Sequence, residues 1–273
     1  MTVDEAATTN RQSDDATSGL WLLRRGWFVL AGLLATAALV GVRSLSIPLA
    51  ETTYQLEFPY LSFAVSLVPA WVAPVTLRPE ALWGLKPAYL AVTVGLWTLA
   101  VLAVVIAAGL FWWGLDRDSG VLAPLSRLGW LVAYGLAAVV LTVFGSDLLV
   151  GSLPADWAGL EWGWTLLLAL VAGRLFVAPV AIVRDGRRPL DAVRWSIRSL
   201  AGVRWTVRCT GLVLLLAFAS RVVTAPFGAL GGGLVGLALT VAVGTALVGS
   251  AHAYAMAFVY DLVAGNQTEG RES

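Results

Sequence analysis

Six stretches of this chain are apolar over lengths suited to a lipid bilayer: 27–42, 88–115, 129–150, 160–183, 207–226 and 234–260. A helix needs about 20 predominantly apolar residues to cross a hydrocarbon core of about 30 Å. The last five blocks reach that length. The first follows Arg24 and Arg25 and reads as a membrane helix that stays in place rather than as a cleaved leader. Blocks this long and continuous exclude an alternating outer-membrane barrel, and the charge content excludes a soluble or disordered chain. Only 13% of the residues are charged, about half the roughly 25% of a soluble domain. The fold class expected is therefore all-α, a polytopic transmembrane helical bundle of about six spans. Residues 21–265 form one domain, between a disordered polar tail at 1–20 and a polar tail at 266–273.

Segment 59–77 is apolar but holds Pro59, Pro69 and Pro74 and is flanked by Glu51, Glu57 and Glu80. Proline removes a backbone donor and clashes with the preceding helical turn. The segment is read as interfacial or re-entrant. Charge placement agrees, because six spans with the amino terminus inside put 13 basic residues on inner segments and three (Arg43, Arg78 and Lys86) on outer ones. Such a bias sets orientation, so both termini are expected in the cytoplasm and the chain in the plasma membrane. Several tryptophans, Trp112 and Trp113 among them, lie near span ends, where indole rings favour the interface. Trp97 is the mid-span exception.

The segment 189–201 reads as an amphipathic helix on the cytoplasmic surface. Pro189 suits a first helical position and Asp191 complements the dipole in the first turn. Leu190, Val193, Ile197 and Leu200 form one stripe, and Arg194 and Arg198 lie with Asp191 on the polar side. Gly202 is expected to close the helix with a left-handed cap. Arg187, Arg188, Arg194, Arg198 and Arg204 are candidate contacts for anionic lipid headgroups or a partner. A topology determinant packed against the span ends is the plainer expectation.

The order Phe176, Pro179, Ile182, Val183, then Ala192, Val193, Ser196, Leu200 and Trp205 carries a resemblance. It resembles the membrane domain attached to some bacterial glycerophosphodiester phosphodiesterases, and related bacterial and haloarchaeal membrane proteins. The likeness covers about 30 residues. The separate catalytic domain of those enzymes has no counterpart here. The resemblance thus implies a membrane module rather than an esterase.

Ionisable residues at membrane depth are expensive and usually face protein or water. The candidates are Asp147, Arg174, Arg221 and His252. Asp147 and Arg221 both fall in the outer third, where an ion pair between helices is expected; a gate or substrate path is the alternative. Arg174 and His252 share a second level. Arg174 is expected to donate to carbonyls, Tyr254 or Ser250, or to snorkel, and His252 to be a packed polar core residue rather than a proton relay.

With one histidine and one cysteine (Cys209), a single chain lacks the roughly four Cys/His ligands of a structural zinc site. No Ser-His-Asp motif, HExxH or carboxylate cluster is present in the spans, so catalytic residues, metal and cofactors are expected to be none. Net charge of +1 gives no field for nucleic acid. In the last span, Gly232, Gly236, Thr240 and Gly244 form one row of small residues, and Ala238, Ala242, Ala246 and Ser250 a second. Such rows let helices approach closely, within the monomer or, alternatively, in a homo-oligomer or with a membrane-protein partner. The function expected is a non-enzymatic membrane module, a scaffold or one serving lipid or envelope homeostasis. The alternative is a small transporter or channel component with Asp147 and Arg221 near the path.

Overall fold

The computed structural model describes residues 26–42, 44, 86–115, 124–150, 158–228 and 234–272; side chains at 143–150, 158–162, 228 and 266–272 lie outside that description. The expected segment 59–77, the tail 1–20 and the turn at 231–233 lie outside the described residues. The described helices are α1 Gly26–Val42, α2 Pro87–Trp113, α3 Leu125–Val150, α4 Ala158–Arg174, α5 Ala178–Arg184, α6 Pro189–Ser199, α7 Val203–Gly228, α8 Leu234–Val243 and α9 Ser250–Glu272. A wide π turn at Gly244–Gly249 joins α8 to α9 without a break. Among the described residues there is no strand.

Among the described residues, five helical stretches are long and apolar enough to cross a membrane, against the six expected: Pro87–Trp113, Leu125–Thr142, Gly163–Arg184, Val203–Phe227 and Leu234–Gly265. Helix α1 is apolar but shorter. Its 17 described residues reach only about 25 Å at about 1.5 Å each. At the carboxyl end, the stretch expected as a polar tail continues as helix to Glu272.

Close approaches of backbone hold the bundle together, as expected where lipid supplies no hydrophobic drive between helices. A Cβ on Gly32 would lie 2.9 Å from the Ala242 carbonyl oxygen, and one on Gly249 would lie 3.3 Å from the Phe28 ring. The Thr36 hydroxyl reaches the Ala238 carbonyl at 3.3 Å. The Ala238–Ala242 row is therefore covered by α1 of the same chain. Phe28 also meets Phe111 edge to face at 5.7 Å, which ties α1 to α2. On the other side of the bundle, a Cβ on Gly173 would fall 2.7 Å from Thr210 Oγ1 and 2.9 Å from its backbone nitrogen, so α4 and α7 are nearly in backbone contact.

Trp112 departs from expectation. It is fully buried, and its Nε1–H donates to the Ala253 carbonyl at 2.8 Å. It is a packing anchor between α2 and α9 rather than an interfacial belt residue. Trp130, 45% exposed, keeps the outward position expected of such a residue.

The span expected over 160–183 is kept as the single stretch Gly163–Arg184 and is built from two helices. Pro179 has no N–H to offer the Leu175 carbonyl. The Ala178 N–H turns to that carbonyl instead, at 3.0 Å, and this releases the carbonyl of Arg174. Helix α4 ends there, and α5 starts with Pro179 at its second position. The residues around the break are almost completely enclosed, including Phe176, Val177, Val180, Ile182 and Val183.

Candidate functional site

Helices α5 and α6 form an elbow at one end of the bundle. Most of the polar chemistry among the described residues gathers around it. The elbow is held first by Ser196. This buried hydroxyl donates to the Arg174 carbonyl at 2.7 Å and so satisfies the acceptor released at the helix break. A buried acceptor left without a donor costs about 1–3 kcal/mol. Ser196→Ala is therefore expected to lower stability by about 1–2 kcal/mol. The check is thermal melting of the purified chain in detergent; an unchanged midpoint would mean that this bond does not hold the elbow.

The far end of α5 is closed by Arg127, at the start of α3. Its Nη1 donates to the carbonyls of Val183 and Arg184, both at 2.9 Å. These are last-turn carbonyls without helical partners, where a cation is also favoured by the dipole. The guanidinium stands 5.0 Å from the centre of the Trp113 ring. Gly186 lies alongside with φ of 68°, and a Cβ there would meet the Arg127 side chain at 3.3 Å. Both the left-handed backbone and the close approach select glycine.

A second ring of contacts joins the elbow to α9. Tyr260 donates its hydroxyl hydrogen to Asp185. Arg187 pairs with Asp185 at 2.7 Å and stands 4.6 Å from the centre of the Trp195 ring. Arg184 pairs with Asp261 at 2.5 Å and stacks over Tyr260 at 5.2 Å. Trp195 and Tyr260 rings are 5.5 Å apart. Asp261 is 59% exposed, so its pair with Arg184 adds at most about 1 kcal/mol. What the network contributes is a fixed geometry for the turn at 185–188.

Helix α6 buries one part of the expected stripe and leaves the other part exposed. Its buried face is Ala192, Ser196 and Leu200, with Val193 half-buried. Leu190 and Ile197 are exposed, at 72% and 43%. The apolar stripe is therefore divided, with Leu200 in the protein core and Leu190 and Ile197 outside it. Small side chains are what let α6 lie close to α5. The helix ends at Ser199, and Leu200 caps it at φ −98°. Gly202 supplies no left-handed cap. Its carbonyl accepts instead from the Thr206 N–H at 3.0 Å and hydroxyl at 3.1 Å, and so opens α7.

The other expected residues fall as follows. His252 is buried and stacked on Phe176, with ring centres 5.6 Å apart and 19° between planes. Arg174 ends α4 two residues before Phe176. Of the partners expected for Arg174, Ser250 gives its hydroxyl to the Ala246 carbonyl at 2.6 Å, and Tyr254 is 60% exposed. Arg221 is half-buried on α7. The Asp147 side chain lies outside the described residues, and with it the expected ion pair. Arg187 is committed to Asp185 and Trp195. Arg188, Arg194, Arg198 and Arg204 are exposed, and Arg194 has only a loose contact with Asp191 at 4.0 Å. Cys209 is buried. Among the described residues no group of three or more His, Cys, Asp or Glu side chains could hold a metal ion.

Arg127, Asp185, Trp195, Tyr260 and Asp261 were not expected as site residues. The Asp185–Gly186 pair is a turn signal, but the partners across the elbow come from α3 and α9, and no local pattern announces them.

Fold and contacts together define the class: an all-helical membrane bundle with a locked helical elbow at its basic end. No protein-family model, curated protein or solved structure matches the chain.

Proposed function

We propose that the chain is a non-enzymatic, multi-pass module of the plasma membrane whose basic end faces the cytoplasm as a fixed platform for scaffolding or for lipid or envelope homeostasis. The observation that carries this reading is the locked elbow. Ser196, Arg127 and the Asp185–Tyr260 bond join the elbow of α5, α6 and the turn between them to α4, α3 and α9, which suits a presenting surface better than a moving lid. The basic bias of the segments around the elbow supports the orientation. The resemblance of Phe176–Trp205 to membrane domains attached to separate catalytic domains supports an accessory role.

Orientation is tested with single cysteines at Ser66, Ser119, Ser152, Ser199 and Ser273 in a Cys209→Ser background. In intact cells an impermeant thiol reagent is expected to label only the cysteines at 66 and 152. Labelling at 199 or 273 would overturn the cytoplasmic platform. The role is tested by replacing Asp147 and Arg221 together with leucine. Under the module reading a deletion strain is still complemented; a folded double variant that loses solute uptake would put a transporter in its place.

A further inference from the structure

Where α6 passes into α7, basic and aliphatic side chains meet the surroundings in adjacent rows. At about 100° per residue, Leu190 and Ile197 lie about 20° apart on the exposed edge of α6. Arg194 and Arg198 form the next row around the same helix. The pattern repeats on α7. Val203 and Val207, 80% and 65% exposed, form one ridge, and exposed Arg204 and Arg208 form the neighbouring one. The guanidinium of Arg208 is 5.9 Å from the centre of the Trp205 ring, so its stem follows an apolar surface.

We infer that this face is a docking surface for anionic phospholipid headgroups. Its position and its charge both point to lipid. The apolar ridge of α7 opens the candidate span Val203–Phe227, few of whose residues are enclosed by protein. Whatever covers Val203 and Val207 therefore continues along the helix as hydrocarbon. The arginines stand at the start of that span, where phosphates end the hydrocarbon layer. Guanidinium groups bind phosphate oxygens in pairs of parallel hydrogen bonds. Asp191 is the acidic residue within the α6 row, and Arg194 faces it, so the rows stay basic. The Ser196 anchor fixes α6 at this level rather than leaving it free to lift. The inference does not depend on which way the bundle is inserted.

The test uses the full chain in lipid nanodiscs with anionic lipid in both leaflets. A donor dye is attached to a cysteine replacing Ser199, in the Cys209→Ser background. Energy transfer is read to acceptor-labelled phosphatidylglycerol and, separately, phosphatidylcholine. Enrichment of phosphatidylglycerol near the dye is expected. Basic residues near an anionic surface gain affinity of about fivefold each. Arg194→Gln with Arg198→Gln should thus reduce the enrichment by up to about 25-fold. The Arg194→Lys, Arg198→Lys pair keeps the charge but not the paired hydrogen bonds, so its enrichment should lie between those of the parent chain and the glutamine pair. Both substituted side chains are exposed, so melting midpoints should match the parent chain. Equal transfer from the two lipids, or enrichment that survives the glutamine pair, would overturn the inference. Displacement of the labelled lipid by excess inorganic phosphate would also overturn it, by showing a site for a soluble anion.

Discussion

Trp112→Ala is expected to cost the bundle about 3–5 kcal/mol, the range for removing a buried large aromatic. Its ring is fully buried, and its Nε1–H makes a 2.8 Å bond to Ala253 from another helix. The substitution opens a cavity and removes the hydrogen bond to Ala253 at once. Trp112→Phe separates the two effects: the ring volume is mostly kept and the hydrogen bond goes, for about 1–2 kcal/mol. Trp130→Ala is the internal comparison, since that indole is 45% exposed and its loss should change stability far less. Unfolding of the three purified variants in detergent, followed by size exclusion after heating, ranks them. Equal midpoints for the alanine variants at 112 and 130 would show that Trp112 is not an anchor.

The second large effect is expected at Gly173. A Cβ there meets Thr210 Oγ1 at 2.7 Å, its backbone nitrogen at 2.9 Å and its Cα at 3.1 Å. A hydroxyl can rotate away, but backbone cannot. Gly173→Val must therefore push α4 away from α7 along their contact. Overpacking of this kind costs about 1–3 kcal/mol or more, and the upper part of that range is expected because helix backbone is the obstacle. Thr210→Ala should fail to rescue it. Gly163→Ala and Gly211→Ala are the controls. Nothing lies within 4 Å of a Cβ at either position, so they should be neutral or slightly stabilising through helix propensity. Rescue by Thr210→Ala would place the obstacle in the side chain and remove the argument for backbone contact.

These two sites show what sequence patterns carry and what they omit. The apolar blocks located the helices because a bilayer demands continuous helix, whatever its neighbours are. The blocks could not show that 160–183 holds a break. Pro179 makes a break affordable only if another group takes the Arg174 carbonyl, and Ser196 is 22 residues away. Amphipathic spacing placed α6 within two residues of its end. It put Leu190, Val193, Ile197 and Leu200 in one stripe, and the structure divides that stripe between the protein core and an exposed edge. A period describes a helix surface; it does not say how many surfaces the helix touches.

Counting arginines alone also left half of the elbow unseen. The bias that orients a membrane protein depends on Lys and Arg and hardly on Asp and Glu. Asp185 and Asp261, which fix Arg187 and Arg184, therefore leave no mark in that bias. Trp112 and Trp113 are neighbours in sequence at the same helix end. One is enclosed against α9 and the other stands by Arg127, because adjacent residues on a helix point about 100° apart.

The sequence by itself determined that the chain is a helical membrane protein, approximately where its helices lie, and that one end is basic. Length, hydropathy and charge settle these because each is a contest between a segment and its solvent. Only the tertiary structure decided which tryptophan is an anchor, which glycine is a contact, where the fourth apolar block breaks and which arginines remain exposed. Each of those depends on a partner atom from a distant part of the chain, within about 3–5 Å, and no local pattern contains it.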